Sequence, residues 1–259
     1  MDHDLAALVA RTLDAPAELI DALPHLLADL DEIGARVREV LPLLRDAGVG
    51  PRSRVLDLGC GKGAVAIAVA HELGAHVHGI DAMPAFVDHA RAAAARADAT
   101  PRCTFEIGDL RAAVGAARDY DVVSMLALGD VLGDLQDTVA ALRACVRPGG
   151  LILIDDAFLN DDASPGDREG VDCLDRATSH RLLAAHGDTL LAEQVIDGPE
   201  TAAEYRAMTR RITARAEELA AQNPGLAALL RDYAARQADE VELLTGPVTG
   251  VLWLLRRND

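Results

Sequence analysis

A chain of 259 residues, half of them hydrophobic, is long enough to bury a substantial core as one large domain or two small ones. Asp and Glu number 42 against 25 Lys and Arg, and the formal charge of −17 opposes the basic footprint needed on a phosphate backbone or an anionic membrane, so no nucleic acid and no membrane is expected as a partner. Cys60, Cys103, Cys145 and Cys173 lie far apart without zinc spacing, Met1-Asp-His-Asp is acidic where a signal peptide needs base, and no 18-residue apolar run occurs; a soluble, cytoplasmic protein is expected.

Residues 5 to 47 carry apolar side chains at three- and four-residue spacing and predict helices, which Pro16, Pro24 and Pro42 should separate. After Gly48-Val-Gly-Pro, short β-rich runs alternate with amphipathic helices. The runs are Arg54-Val-Leu-Asp-Leu, His76-Val-His-Gly-Ile, Cys103-Thr-Phe-Glu-Ile, Tyr120-Asp-Val-Val-Ser-Met and Leu151-Ile-Leu-Ile-Asp. Strands separated by about a dozen helical residues signify βαβ units, hence an α/β fold with a doubly wound, mostly parallel sheet. Beyond them come a helix from Thr178 to His186, a strand from Thr189 to Val195 and a final strand from Val248 to Leu255. The stretch from about 200 to 244 lies between those two strands as a helical insertion, split at Asn223-Pro-Gly into helices 201–222 and 226–244. Its expected apolar faces are Tyr205, Met208, Ile212 and Leu219, then Leu226, Leu229, Leu230, Tyr233 and Leu244.

The sharpest chemical signal is Val55-Leu-Asp-Leu-Gly-Cys-Gly-Lys-Gly-Ala, an apolar strand ending in an acid and a Gly-x-Gly-x-Gly turn that opens a helix. Glycines let the backbone turn tightly and approach a ligand, and the N–H groups at the helix start favour a negative group. Twenty residues after Gly61, Asp81 ends the second strand, where an acid is placed to accept both ribose hydroxyls of an adenosine. Gly59-x-Gly61-x-x-Ala64 also fits a relaxed dinucleotide fingerprint. Asp57, however, would repel a pyrophosphate and suits a ligand that presents an ammonium group.

At these residues the chain resembles the class I S-adenosylmethionine-dependent methyltransferases, from about Arg54 to Phe158. The resemblance implies a seven-stranded Rossmann-like methyltransferase fold with N-terminal helices and a helical insertion before the last strand. Its domains would be an N-terminal helical cap over 1–47 and a methyltransferase domain over 48–259. It implies S-adenosyl-L-methionine as cofactor, with Asp57, Gly59, Cys60, Gly61 and Gly63 around the methionine tail and Lys62 either beside its carboxylate or solvated at the helix start. Asp81 would hold the ribose, Ala82 and Met83 would flank the adenine, and Asp109, followed by Leu110, would meet the adenine amino group. The fourth strand would pass the sulfonium near Ser124 to Leu126, around Met125. Val146-Arg-Pro-Gly-Gly matches the family's segment before the fifth strand.

A methyl sulfonium is already activated, so such an enzyme mainly holds a nucleophile in line and excludes water, adding a base if the nucleophile is protonated. Asp130 and Asp156 are the candidate bases, with Asp134 and Asp155 beside them; Asp130 as a helix N-cap and one of the 155–156 pair as a strand-end acceptor are the structural alternatives. No metal is expected: the fourth strand lacks the acid of the catechol-type enzymes, and His71, His76, His78, His180 and His186 read as structural. Substrate choice should lie in residues 1–47, the acidic loop 157–177 and the insertion, with Tyr205 and Arg206 as pocket candidates. The acceptor is expected to be a small molecule, neutral or cationic more readily than polyanionic. Nothing in the pattern specifies an oligomeric state. Two other functions remain open, a cofactor-binding regulator or scaffold without transferase activity and a nicotinamide oxidoreductase.

Overall fold

A computed structural model describes residues 1–164, 171 and 173–259. Seven strands form one sheet in the order β3-β2-β1-β4-β5-β7-β6: β1 Arg54–Leu58, β2 His76–Asp81, β3 Cys103–Ile107, β4 Tyr120–Leu126, β5 Val146–Leu159, β6 Thr189–Ile196 and β7 Val248–Arg256. The pairs β1–β2, β1–β4, β2–β3 and β4–β5 are parallel. Gly149 and Gly150 exchange backbone hydrogen bonds with Arg257, so β7 runs opposite to β5. The order turns at β1 and β4, the crevice where open α/β sheets bind ligands. Among the described residues no helix is long and apolar enough to cross a membrane.

Two compact units divide the chain. The first comprises Glu32–Asp156, Ala177–Gln194 and Val251–Asp259 and holds most of the sheet. Its helices include α3 Val37–Asp46, α4 Ala64–Glu72, α5 Pro84–Arg96, α6 Leu110–Ala116 and α7 Leu135–Cys145; α8 spans Arg176–Leu183. Val55, Leu56 and Leu58 are buried on both faces of β1, as a central parallel strand requires. At the other side Trp253 is fully buried, and its indole N–H donates to the Glu193 carboxylate at 2.8 Å. Glu193 is shared with His180 of α8. Asp188 takes Arg143 through both oxygens, at 2.9 and 2.8 Å, and accepts the Asn258 N–H at 3.0 Å.

The second unit comprises Met1–Asp31, Ala157–Arg176 and Val195–Gly250. It contains α1 His3–Thr12, a 3-10 turn at Ala17–Leu19, α2 Leu23–Leu26, α9 Gly198–Gln222 and α10 Ala227–Leu244. Helices α9 and α10 pack along each other, and Arg215 of α9 grips the Asp29 carboxylate at 2.8 and 2.7 Å. The insertion thus breaks at Asn223-Pro-Gly, as the turn residues predict.

Several expectations change. Pro42 does not separate helices; it sits inside α3, where burial of Val40, Leu41 and Leu44 outweighs one lost backbone bond in a ten-residue helix. The buried stripe of α9 is Thr209, Ile212, Ala216 and Ala220, with Tyr205, Met208 and Leu219 half-buried, because small side chains let α10 approach closely. On α10, Leu230 and Tyr233 are buried with Ala234 and Val241, while Leu226, Leu229 and Leu244 are half-buried. Val146–Gly150 is the start of β5, and α8 begins two residues before Thr178. Residues 165–170 of the acidic loop lie outside the described residues.

Candidate functional site

The turn after β1 is built on three left-handed glycines, Gly59 (φ 69°), Gly61 (φ 52°) and Gly63 (φ 81°). The N–H groups of Gly59 and Cys60 donate to the Ile80 carbonyl at 2.8 and 3.1 Å, tying the turn to the end of β2. Asp81 completes the tie: one carboxylate oxygen accepts the Gly61 N–H at 2.9 Å and the other the Met83 N–H at 2.8 Å. Burial raises the Asp81 carboxyl above its ordinary range, against the lowering effect of those two bonds. Each oxygen keeps a further acceptor position. Ala82 lies between the two anchoring residues, and a Cβ at Gly61 would meet nothing within 4 Å, so open space faces the turn.

Asp57, on β1 two residues before Gly59, is 3% exposed. Ser124 of β4 donates to it at 2.7 Å across the β1–β4 pair. Burial pushes the Asp57 carboxyl up to about 6, the serine bond lowers it, and Asp81 raises it further. Met125, next along β4, is buried and registers with Leu58 and Ile154. Lys62 is 6% exposed, which overturns the solvated alternative at the helix start. Cys60 is half-buried; burial first, then the carboxylates of Asp57 and Asp81, push its thiol far up.

Asp109 has work of its own. It caps α6 through the Arg111 N–H at 2.9 Å and pairs with the Arg111 guanidinium at 2.7 to 3.0 Å, which holds its carboxyl below the usual range. Leu110 opens that helix.

Among the acids near the ends of β4 and β5, Asp130 is exposed in a turn, and its carbonyl accepts the Gly133 N–H at 3.0 Å. The N-cap of α7 is Asp134, not Asp130. Asp156 is exposed, whereas Asp155 is half-buried, and its carboxyl is pushed up to about 8 by burial, then by the Asp156 and Glu39 carboxylates, against Arg36. Arg36, the N-cap of α3, and Glu39 in its first turn were not singled out by sequence. They form an ion pair at 3.6 Å with each side chain 10% exposed. The segment leading into α3 lies against the exit of β4, since a Cβ at Gly34 would stand 2.5 Å from the Ala127 Cβ. The signal available was an Arg-x-x-Glu pair on the otherwise apolar side of a helix.

The histidines take structural partners: His78 meets Tyr120 and Glu106, His180 meets Glu193, and His186 meets the Gln136 carbonyl. In the second unit, Arg206 lines a cavity of about 390 Å³ with Asn160, Thr201 and Thr249, while Tyr205 stands near Gly250 instead.

Residues 55–150 match the family described as methyltransferase domain. Two curated relatives are the ubiquinone biosynthesis O-methyltransferase of Methylocella silvestris and the 27-O-demethylrifamycin SV methyltransferase of Amycolatopsis mediterranei. The first is 32% identical over 148 residues, covering 54% of this chain and 55% of the relative. The second is 30% identical over 159 residues, 58% of each. The chain spans between 30% and 58% of the length of the curated relatives it matches. In fold it is similar to the structure of an S-adenosylmethionine-dependent methyltransferase from Geobacter sulfurreducens in complex with S-adenosyl-L-homocysteine. That likeness has a TM-score of 0.74 at 20% identity over 91% of this chain and 97% of the other.

Proposed function

We propose, from the premise that residues 55–150 are a class I S-adenosylmethionine-dependent methyltransferase domain, that the chain transfers a methyl group to a small-molecule acceptor by in-line displacement. The observation that carries this reading is the three-glycine turn pinned to Asp81, with open space before Gly61 and the buried Asp57 beneath. That set of groups fits S-adenosylmethionine. The spare acceptor positions of Asp81 suit the ribose hydroxyls, Asp57 suits the ammonium of the methionine tail, and the N–H groups of Gly59 to Gly63, with Cys60 among them, suit its carboxylate. Ala82 and Leu110 bound the adenine side, with Asp109 toward the adenine amino group if Arg111 yields part of its hold. Met125 lies on the sulfonium side.

When bound, the cofactor supplies a methyl group on a positively charged sulfur, a carbon already prepared for attack. The chain's task is to align the acceptor, exclude water and receive a proton where the acceptor carries one. Asp130, with Asp134, on the loop after β4, and Asp156, with Asp155, in β5 level with the exit of β4, are the candidate carboxylates for that last role. The N-terminal helices of 1–47 and the insertion of about 200–244 are assigned to acceptor choice, with Arg206 in the cavity of the second unit. The name of the Amycolatopsis relative gives a small-molecule acceptor, that of the Methylocella relative a small-molecule biosynthesis, and a charge of −17 disfavours a polyanionic acceptor. Four free thiols suit a reducing, cytoplasmic setting.

Calorimetric titration with S-adenosylhomocysteine tests the reading. The parent chain should bind, and Asp81→Ala should weaken binding by roughly 100-fold, the loss of two hydrogen bonds to a charged group. Unchanged affinity in Asp81→Ala overturns the assignment. Tight NADH binding without affinity for S-adenosylhomocysteine would restore the oxidoreductase reading, and binding with no labelled methyl transfer to any metabolite of a broad extract would favour the regulator.

A further inference from the structure

We propose that Asp155 receives the proton of a phenolic or enolic hydroxyl acceptor, and that Arg36 and Glu39 are positioning residues that set its charge. The inference rests on the methyltransferase reading and goes beyond it by choosing the base and the acceptor class.

Strand register places Asp155. Asp57, Ser124 and Leu153 share one line across β1, β4 and β5, and Leu126 and Asp155 share the line two residues further along. Side chains alternate along a strand, so Asp57 and Asp155 stand on the same face of the sheet. Two strand spacings across and two residues along separate them, about 12 Å. Asp155 is therefore level with the last residue of β4, at the end of the sheet where ligands bind in this architecture. Asp156 points to the other face, and Asp130 lies out on the exposed loop.

The surroundings of Asp155 are asymmetric in charge. From its own strand comes the Asp156 carboxylate; from α3 come Arg36 and Glu39; from the exit of β4 the Ala127 N–H reaches its carbonyl at 3.4 Å. Arg38, more exposed, shares the Glu39 carboxylate at 3.6 Å. Burial first, then the Asp156 and Glu39 carboxylates against the Arg36 guanidinium, disfavour ionisation, and a carboxyl pushed up to about 8 is a much stronger base than a free aspartate. Phenols ionise near 10. A proton passes from such a hydroxyl to Asp155 with little mismatch, whereas an aliphatic alcohol is far too weak an acid.

The step balances. The O–H bond breaks and its proton goes to the Asp155 carboxylate; the oxygen pair forms the bond to the methyl carbon. The carbon–sulfur pair stays on sulfur, leaving a neutral thioether.

The test follows the Asp155 carboxyl by carbon-13 NMR, with its signal assigned by loss in Asp155→Asn. Binding of S-adenosylhomocysteine is measured alongside as proof of an intact fold. The parent midpoint should lie near 8. Glu39→Gln should lower it by about one pH unit and Arg36→Met raise it by about one. Labelled S-adenosylmethionine is then offered with phenol, pentane-2,4-dione or benzylamine. Label should appear on phenol or the dione, its rate should rise with pH along the same midpoint, and Asp155→Asn should lose on the order of 100-fold or more. Midpoints that stay put in both α3 variants, or label on benzylamine alone, or label on none of the three while S-adenosylhomocysteine binds, overturn the proposal. Failure of the parent to bind S-adenosylhomocysteine overturns the methyltransferase reading instead.

Discussion

The Ser124 hydroxyl donates to the Asp57 carboxylate at 2.7 Å, and this one bond favours charge on a carboxyl that burial works to neutralise. If Asp57 takes the ammonium of the ligand, it must be ionised to do so. Affinity for S-adenosylhomocysteine should therefore fall as pH drops through about 6 and level off above it. Ser124→Ala removes the stabilising donor and should move that midpoint up by about one unit. Calorimetric titrations from pH 5 to 8 read both curves.

The same carboxyl costs stability in the unliganded protein. Its folded value, about 6, lies above the ordinary 3.8, so the fold binds the proton more tightly than the unfolded chain does. The cost is absent below about 4, grows between 4 and 6, and is complete above 6, where two pH units correspond to about 3 kcal/mol. Asp57→Asn should raise the melting temperature at pH 7 by several degrees and gain little at pH 4, while weakening the ligand. Thermal melts at the two pH values, beside a titration, check this opposition.

Gly63→Ala should destabilise the turn by about 1 to 3 kcal/mol. The residue sits at φ 81°, and a Cβ there would stand 2.8 Å from the Ala90 Cβ and 3.0 Å from the Phe105 ring. Both neighbours are buried, so neither can swing away. Urea denaturation gives the loss.

Asp188→Ala should cost about 3 kcal/mol, because the Arg143 guanidinium, 21% exposed, would lose both carboxylate oxygens and Asn258 its acceptor. Asp188→Asn, which keeps the Asn258 contact, should cost less. Chemical denaturation of the two variants separates charge from shape.

What the sequence made legible follows the range of the forces involved. Alternation and three-residue spacing are local, and they placed β1 to β4, the break at Asn223 and the final strand to within about two residues. The glycine turn and Asp81 were legible because a fixed spacing stands in for a contact between them. Arg36 and Glu39 escaped because their environment depends on Asp155, more than a hundred residues away. The stripe of α9 was misjudged because helix packing rewarded Thr209, Ala216 and Ala220 for being small, where hydropathy had favoured Tyr205 and Leu219.

Cys60 stands in the middle of the glycine turn with a thiol that burial, and then two neighbouring carboxylates, keep protonated. Thiol reagents attack the thiolate, so Cys60 is nearly inert while the turn is closed. Its slow alkylation becomes a clock for the opening of the turn, native to the chain, and any molecule seated there would slow it further.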